Sequence, residues 1–235
     1  EYSDIELNDF GIFPTQRPVW DERYGVRDST RMQIANIQRI WEDAVADDGS
    51  AIPYADRTPR PVVYYLTEDF PEPLVETMFD IAQDYDNALR RIVATHWGFS
   101  TPNDPREMNQ VSMDDVPRMF YLCENPGSAT EGHPISQEGY QNGNCQRSGE
   151  LKNLGDIRYS MFSWVAQMQM NGPLGYGPSS VDAITGEVIS ARANMYGEGV
   201  NSYAQYALDL TKLISGDLDD EAYGEGVTIQ EYFER

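Results

Sequence analysis

Residues 62–98 read VVYYLTEDFPEPLVETMFDIAQDYDNALRRIVATHWG. No other stretch constrains the fold as much. Val62–Leu66 is a β-branched and aromatic run between Pro61 and the polar Thr67-Glu68-Asp69, which predicts a buried strand. Asp69 is placed to cap a following helix, and Pro71 and Pro73 suit its first turn. From Leu74 the residues Met78, Phe79, Ala82, Tyr85, Leu89, Ile92 and Val93 keep helical spacing to about Thr95, and Gly98 is a stop signal. A strand that runs into a long helix with one apolar stripe has to bury that stripe on a sheet.

The rest of the chain supplies the sheet. Met119–Leu122, inside RMFYLCEN, predicts a second buried strand. GDIRYSMFSWV predicts a third over Ile157–Val165, with Ile157, Tyr159, Met161 or Phe162, and Val165 available for burial. Residues 171–190, NGPLGYGPSSVDAITGEVIS, place strand formers on both sides of a turn at Ala183–Gly186, where Gly186 supplies a positive φ. Asn201 or Ser202 then caps a helix to Ile214, whose stripe is Tyr203, Tyr206, Ala207, Leu210, Leu213 and Ile214. Upstream, 1–28 read as extended segments and turns. Ser29–Asp43 reads as a helix through Met32, Ile34, Ile37, Ile40 and Trp41, and 46–60 as a linker. A polar loop is expected over 100–117. The expected class is α+β, a mixed β-sheet with a long packing helix, with residues 1–60 leading into a domain over 61–235.

Charge narrows the partners. Thirty-nine acidic residues face 17 basic ones, giving a net charge of −22. Such a surface repels phosphate backbones, so no nucleic acid is expected, and the bland alternative is a solvated acidic face with no partner. No run approaches the ~18 apolar residues of a membrane span. Cys123 and Cys145 flank a loop rich in Gly, Pro, Ser and Asn. A disulfide is the expected state, with two free thiols as the alternative. A bridge over such a loop contributes ~3 kcal/mol and points to an oxidising compartment. The first residue is Glu1 rather than Met, and the last stretch, TIQEYFER, is equally abrupt, so a processed or excised piece of a longer chain is expected.

Catalytic motifs are sparse. There is no H-E-x-x-H, no G-x-S-x-G and no phosphate-binding loop. His96 reads as a helix-end residue at the negative pole of the dipole, and His133 as a solvated loop residue, so no catalytic residue and no metal ligand is assigned to this chain. The run Asp217, Asp219, Asp220, Glu221 has half the pattern of a calcium loop, without its sixth-position glycine and twelfth-position glutamate.

Three stretches together carry a resemblance. PVVYYLTEDFPEPLVETMFDIAQDYDNAL, LGDIRYSMFSWV and GYGPSSVDAITGEVISARANMYG resemble, in that order, the upstream half of the catalytic domain of zincin-type, secreted bacterial zinc-dependent metalloproteases. The opening NDFGIFPTQRPVWDERYGVRD looks like the segment before that domain. The likeness covers most of the chain. It departs at Ala183, where the family has proline in the turn, and at Tyr85-Asp86, where it has Trp-Asn, and the zinc-binding helix of the family is not in this sequence. The resemblance implies a zincin-like sheet whose hairpin borders the substrate cleft. It also implies zinc bound by the C-terminal remainder of the precursor or by another subunit, and a secreted or cell-surface location. The substrate edge it implies lies near Val181 or from Val188 to Met195, with Gly177, Pro178, Ser179, Ser180, Val181, Ile189 and Ala191 as its residues, and the Gly-rich approach from Gly172 to Gly177 lets the backbone come close. The alternatives are a hairpin with a packing role only, and an extracellular structural or binding module for a surface layer, filament or complex.

Overall fold

A computed structural model describes residues 9, 13–98, 115–125, 133–146, 151–167 and 173–226. The opening segment to residue 12 apart from residue 9, most of the 100–117 loop, Gly172 and the final TIQEYFER lie outside the described residues. The chain divides into two compact units, Glu1–Ser163 with Gly177–Ala193, and Trp164–Tyr176 with Asn194–Arg235.

The first unit opens with an antiparallel pair, β1 (Pro14–Asp21) and β2 (Gly25–Ala35), which runs from Pro14↔Ala35 to Asp21↔Gly25 with a register shift between Pro18 and Trp20. β2 occupies the first part of the stretch whose spacing predicts a helix, Ser29–Asp43. That expectation is corrected: Met32 and Ile34 also alternate with Arg31 and Gln33, and pairing with β1 selects the period of two. Beyond it the chain stays extended, with isolated bridges at Ile37↔Glu187, Trp41↔Pro59 and Val45↔Ala51. The expected linker is packed, because Tyr54 stacks on the His96 ring at 4.3 Å and Trp41 meets the same ring edge-on.

β3 (Val62–Leu66), α1 (Glu72–His96) and β4 (Phe120–Cys123) form a β-α-β unit in which β3 and β4 are parallel. β5 (Ser160–Val165) also runs parallel to β3. The register pairs Tyr65 with both Cys123 and Met161, and Leu66 with Phe162, so the side chains sort onto two faces. Tyr64, Phe120 and Phe162 stack together on the α1 face, where Tyr85 of α1 also meets Phe120. On the opposite face Tyr65, Tyr121, Met161 and the Cys123–Cys145 disulfide form a second core. The disulfide, with its Cα atoms 5.8 Å apart, agrees with the sequence reading.

Three details of this region differ from expectation. Helix α1 has Pro71 at its N-cap with no side-chain cap bond, so Asp69 does not cap it. Tyr85 and Ile92 are 55 and 43 % exposed, while Val75, Asp86, Val93 and Ala94 are buried. The buried stripe is therefore centred one residue away from the one read off the apolar pattern, because a carboxylate at 86 takes an inward position. Ile157 is exposed, since β5 starts only at Ser160, after a turn in which Asp156 binds the Arg158 guanidinium. The Cys-flanked loop also contains a helix, α2 (Pro134–Gln141), with Pro at its start.

The hairpin is present as β7 (Ser179–Val181) and β8 (Val188–Tyr196). In the first unit the sheet runs β4-β3-β5-β8, with β7 on the far side of β8. In the second unit β6 (Gly175–Tyr176) pairs with Met195 and Asn194 at the end of β8. Helix α3 (Gly197–Ser215) and α4 (Asp220–Gly224) follow. α3 begins before Asn201 and Ser202, which do not cap it. Its first residue is glycine because any side chain there would run into the Trp164 indole. Gly216, at φ +80°, ends it, and the amides of Asp217 and Leu218 fold back onto the Lys212 carbonyl. In the predicted stripe Tyr203, Tyr206 and Ala207 are exposed and Ile214 is 86 % exposed, Leu210 and Leu213 are half-buried, and Asp209 is buried.

The described structure is thus α+β, with a mixed sheet and packed helices. Among the described residues no helix is long and apolar enough to cross a membrane.

Candidate functional site

The hairpin and its surroundings are the region that the sequence marks for function. Its turn is built by Asp182. The Oδ1 of that residue accepts from the amides of Ile184 at 2.7 Å and Thr185 at 2.8 Å, and its carbonyl accepts from Gly186 N at 2.9 Å. These amide donors favour the charged form, the Thr185 bond most, and hold the Asp182 carboxyl below its usual range. Gly186 has φ +78°, and a side chain at that position would strike the Ala35 carbonyl oxygen and Ile34. Glycine is required here for two reasons, the left-handed backbone and the close approach of β2.

Beyond the turn, β7 pairs with β8 as Ser179↔Ala191, Ser180↔Ser190 and Val181↔Val188. The shift in register leaves Ile189 as the extra residue of a bulge, with its side chain exposed. Pro178 contributes its carbonyl to Arg192 N at 2.8 Å, so Gly177 and Pro178 are tied to β8 as well. The proposed edge residues are thus brought together, but on two strands of different standing. β8 is interior: it adjoins β5, where Ser160 Oγ accepts from Ala191 N, and has β7 on its other flank. Ile37 also brackets Glu187, donating its amide to the Gly186 carbonyl and accepting from Val188 N. Of the two expected positions of the edge, near Val181 or from Val188 to Met195, the second is therefore corrected, because β8 is paired on both sides. Among the described residues the hairpin strand with a single neighbour is β7, where Ser179 and Ser180 are exposed; β4 and β6 are also end strands of the sheet.

A carboxylate anchors the hairpin to the body of the unit. Glu187 Oε1 lies 3.1 Å from Arg60 Nη1, and its Oε2 lies 3.6 Å from Arg39 Nη1. Nothing in the spacing of residues 39, 60 and 187 signals this convergence. It follows from the extended segment that carries Ile37–Trp41 alongside β8.

Two further polar clusters escaped the sequence. Asp86 is fully buried in α1, and its Oδ1 accepts from the amides of Met119 at 2.6 Å and Phe120 at 3.1 Å, where β4 begins. Its Oδ2 faces Arg118 Nη1 at 3.5 Å and Arg90 Nη1 at 3.7 Å. The carboxylate ties the helix to the first turn of the strand and is a structural clamp. The signal available for it was an aspartate on the apolar side of a helix.

His133, expected in a solvated loop, is instead packed. Its ring stacks on Phe79 at 3.4 Å, and its Nδ1 accepts from Ile135 N as the cap of α2. Burial pushes its pKa below the ordinary value, with Glu76, 3.8 Å from Nε2, opposing that and Arg118 reinforcing it. His96 is held between Tyr54 and Trp41. The two histidines therefore sit in separate aromatic settings. Among the described residues no three His, Cys, Asp or Glu side chains are grouped to hold a metal, which covers Asp217 and Asp219 of the acidic run, and the residues present do not make a zinc ligand set.

Comparison with protein-family models, with curated proteins and with solved structures gave no match to this chain.

Proposed function

We propose that this chain is a non-catalytic portion of a secreted zinc-dependent metallopeptidase, contributing the strand along which an extended peptide substrate lies. The observation that supports the reading is β7: a short strand with one neighbour, two exposed serines and a turn held rigid by Asp182 and Gly186. Such an edge presents unpaired backbone donors and acceptors to an incoming strand. The order of the three family-like stretches and the Cys123–Cys145 bridge agree with this reading. The zinc and its ligands belong, on this reading, to a downstream segment or a second subunit, and the chain by itself cleaves no peptide.

The test is reconstitution with the polypeptide encoded directly after this chain, followed by zinc analysis and a peptide-cleavage assay. The expected result is stoichiometric zinc and cleavage that requires both parts. Ser179→Pro, which removes a donor that faces away from β8, is expected to raise KM about tenfold at unchanged zinc content. A reconstituted pair without zinc or cleavage defeats the proposal, and so does stoichiometric zinc on the isolated chain that His96 or His133 substitution removes.

A second reading is a structural or assembly module. The apolar residues exposed on α3, Tyr203, Tyr206 and Ile214, favour it. It is supported if the reconstituted pair associates through α3 yet contains no zinc.

A further inference from the structure

Between the start of β3, the start of β8 and the Gly143–Gln146 segment lies a polar cavity of about 360 Å³, contained in the first unit. That volume lies in the range of small-ligand sites. Three arginines line it, Arg39, Arg60 and Arg158, in a chain with a net charge of −22. Their positions differ in what is left over. Arg39 is engaged on all three nitrogens: Nε donates to the Trp41 carbonyl, and its two terminal nitrogens lie 3.6 Å from carboxylate oxygens of Glu187 and Asp43. Arg158 is chelated by Asp156 through Nε and Nη2. Arg60 is bound on one side only, through Nη1 to Glu187, and no described residue takes Nε or Nη2. Those two nitrogens are the side-on fork that matches a carboxylate with two parallel hydrogen bonds.

Neutral donors stand in the same wall. Tyr65 is 2 % exposed, and its hydroxyl oxygen accepts from Gln146 N at 2.8 Å, which leaves its proton to donate. Gln146 Oε1 accepts from the Tyr159 hydroxyl, which leaves the amide NH₂ of Gln146 for another acceptor. Arg60, Tyr65 and Gln146 thus each keep a donor to offer in the same wall.

We infer that this cavity is a binding site for a single carboxylate group on a small acid of amino-acid or dipeptide size, held by the Arg60 fork with Tyr65 and Gln146 as further donors. The charge balance selects a monoanion. Glu187 already neutralises part of Arg60 and Glu42 also lines the cavity, so a dianionic phosphate brings more negative charge than the one half-free arginine balances. Burial raises the pKa of the Tyr65 hydroxyl, so it remains a donor at neutral pH. Val188 and Ile189 form an apolar wall for the body of the ligand. This inference does not depend on the proposed peptidase role.

The experiment is calorimetric titration of the full chain with N-acetyl-alanyl-alanine, with its C-terminal amide, and with inorganic phosphate. The acid is expected to bind at least about tenfold more tightly than the amide or phosphate. Arg60→Gln is expected to abolish the preference. Glu187→Gln withdraws the competing carboxylate and is expected to tighten the acid a few-fold. Equal binding of acid and amide, no binding of either at millimolar concentration, or preference for phosphate overturns the inference. A folded Arg60→Gln chain that keeps the preference, or weaker binding in Glu187→Gln, overturns it as well. The comparison of acid with amide on the unaltered chain stands even where a variant fails to fold.

Discussion

Helices α1 and α3 carry apolar stripes of similar appearance and end up in opposite conditions. α1 buries Val75, Met78, Phe79, Ala82, Val93 and Ala94, and it adds a carboxylate, Asp86, that is bonded to the strand it covers. α3 leaves Tyr203, Tyr206 and Ile214 exposed and buries little beyond Gly197 and Asp209. A stripe at helical spacing therefore reports a capacity to pack, and only the presence of a covering layer makes it a core. The first unit supplies that layer from its own strands. In the second, the apolar surface of α3 is what a partner of the proposed assembly would cover.

The largest effect that separates the two regions is expected at Asp86. Asp86→Ala removes the buried carboxylate beside Arg90 and Arg118, leaves Arg118 with Glu138 alone, and orphans the Met119 and Phe120 amides. Urea unfolding is expected to show a loss of about 3–5 kcal/mol. A loss under about 1 kcal/mol would mean that the clamp is not a determinant of the first unit.

Next in size is the disulfide. Reduction, or replacement of Cys123 and Cys145 by alanine, is expected to cost about 3 kcal/mol in the same measurement. The loss should register in the first unit, where Cys123 lies under Tyr65, Tyr121 and Met161.

His133 gives a smaller, pH-dependent term. Its folded-state pKa lies below its unfolded value, so the unfolded chain binds the proton more readily. The contribution is fully present above the unfolded value of about 6.5 and is lost as pH falls toward the folded one. Unfolding midpoints of the native chain and His133→Asn should diverge above neutral pH and converge on acidification. Parallel curves across that window would remove His133 from the account.

The smallest effect belongs to α3. Tyr203→Ser and Ile214→Ser are each expected to change stability by less than about 0.5 kcal/mol in the isolated chain, as exposed positions do. The same changes are expected to weaken association with a downstream partner. A loss of 2 kcal/mol or more from Ile214→Ser alone would show that α3 is covered within the chain, and would erase the contrast with α1.

Much of this protein was legible in local pattern. The strand at Val62–Leu66, the length and stop of α1, the strand ending in Cys123, the disulfide and the turn at Gly186 are each set by neighbours in sequence. Apolar period, proline, glycine and a flanked loop carry them. What tertiary structure decided has a common cause, competition between partners distant in sequence. Residues 29–35 carry both a helical and an alternating pattern, and β1 selects the strand. Asp86 enters the core because two amides 33 and 34 residues away need an acceptor. His133 looked like part of a loop until Phe79 supplied its stacking partner. The outer strand of the hairpin is β7 rather than β8 because β8 has β5 beside it as well as β7. Local pattern fixes which conformations a segment can adopt at low cost, and the identity of its partner across the fold decides which of them is kept.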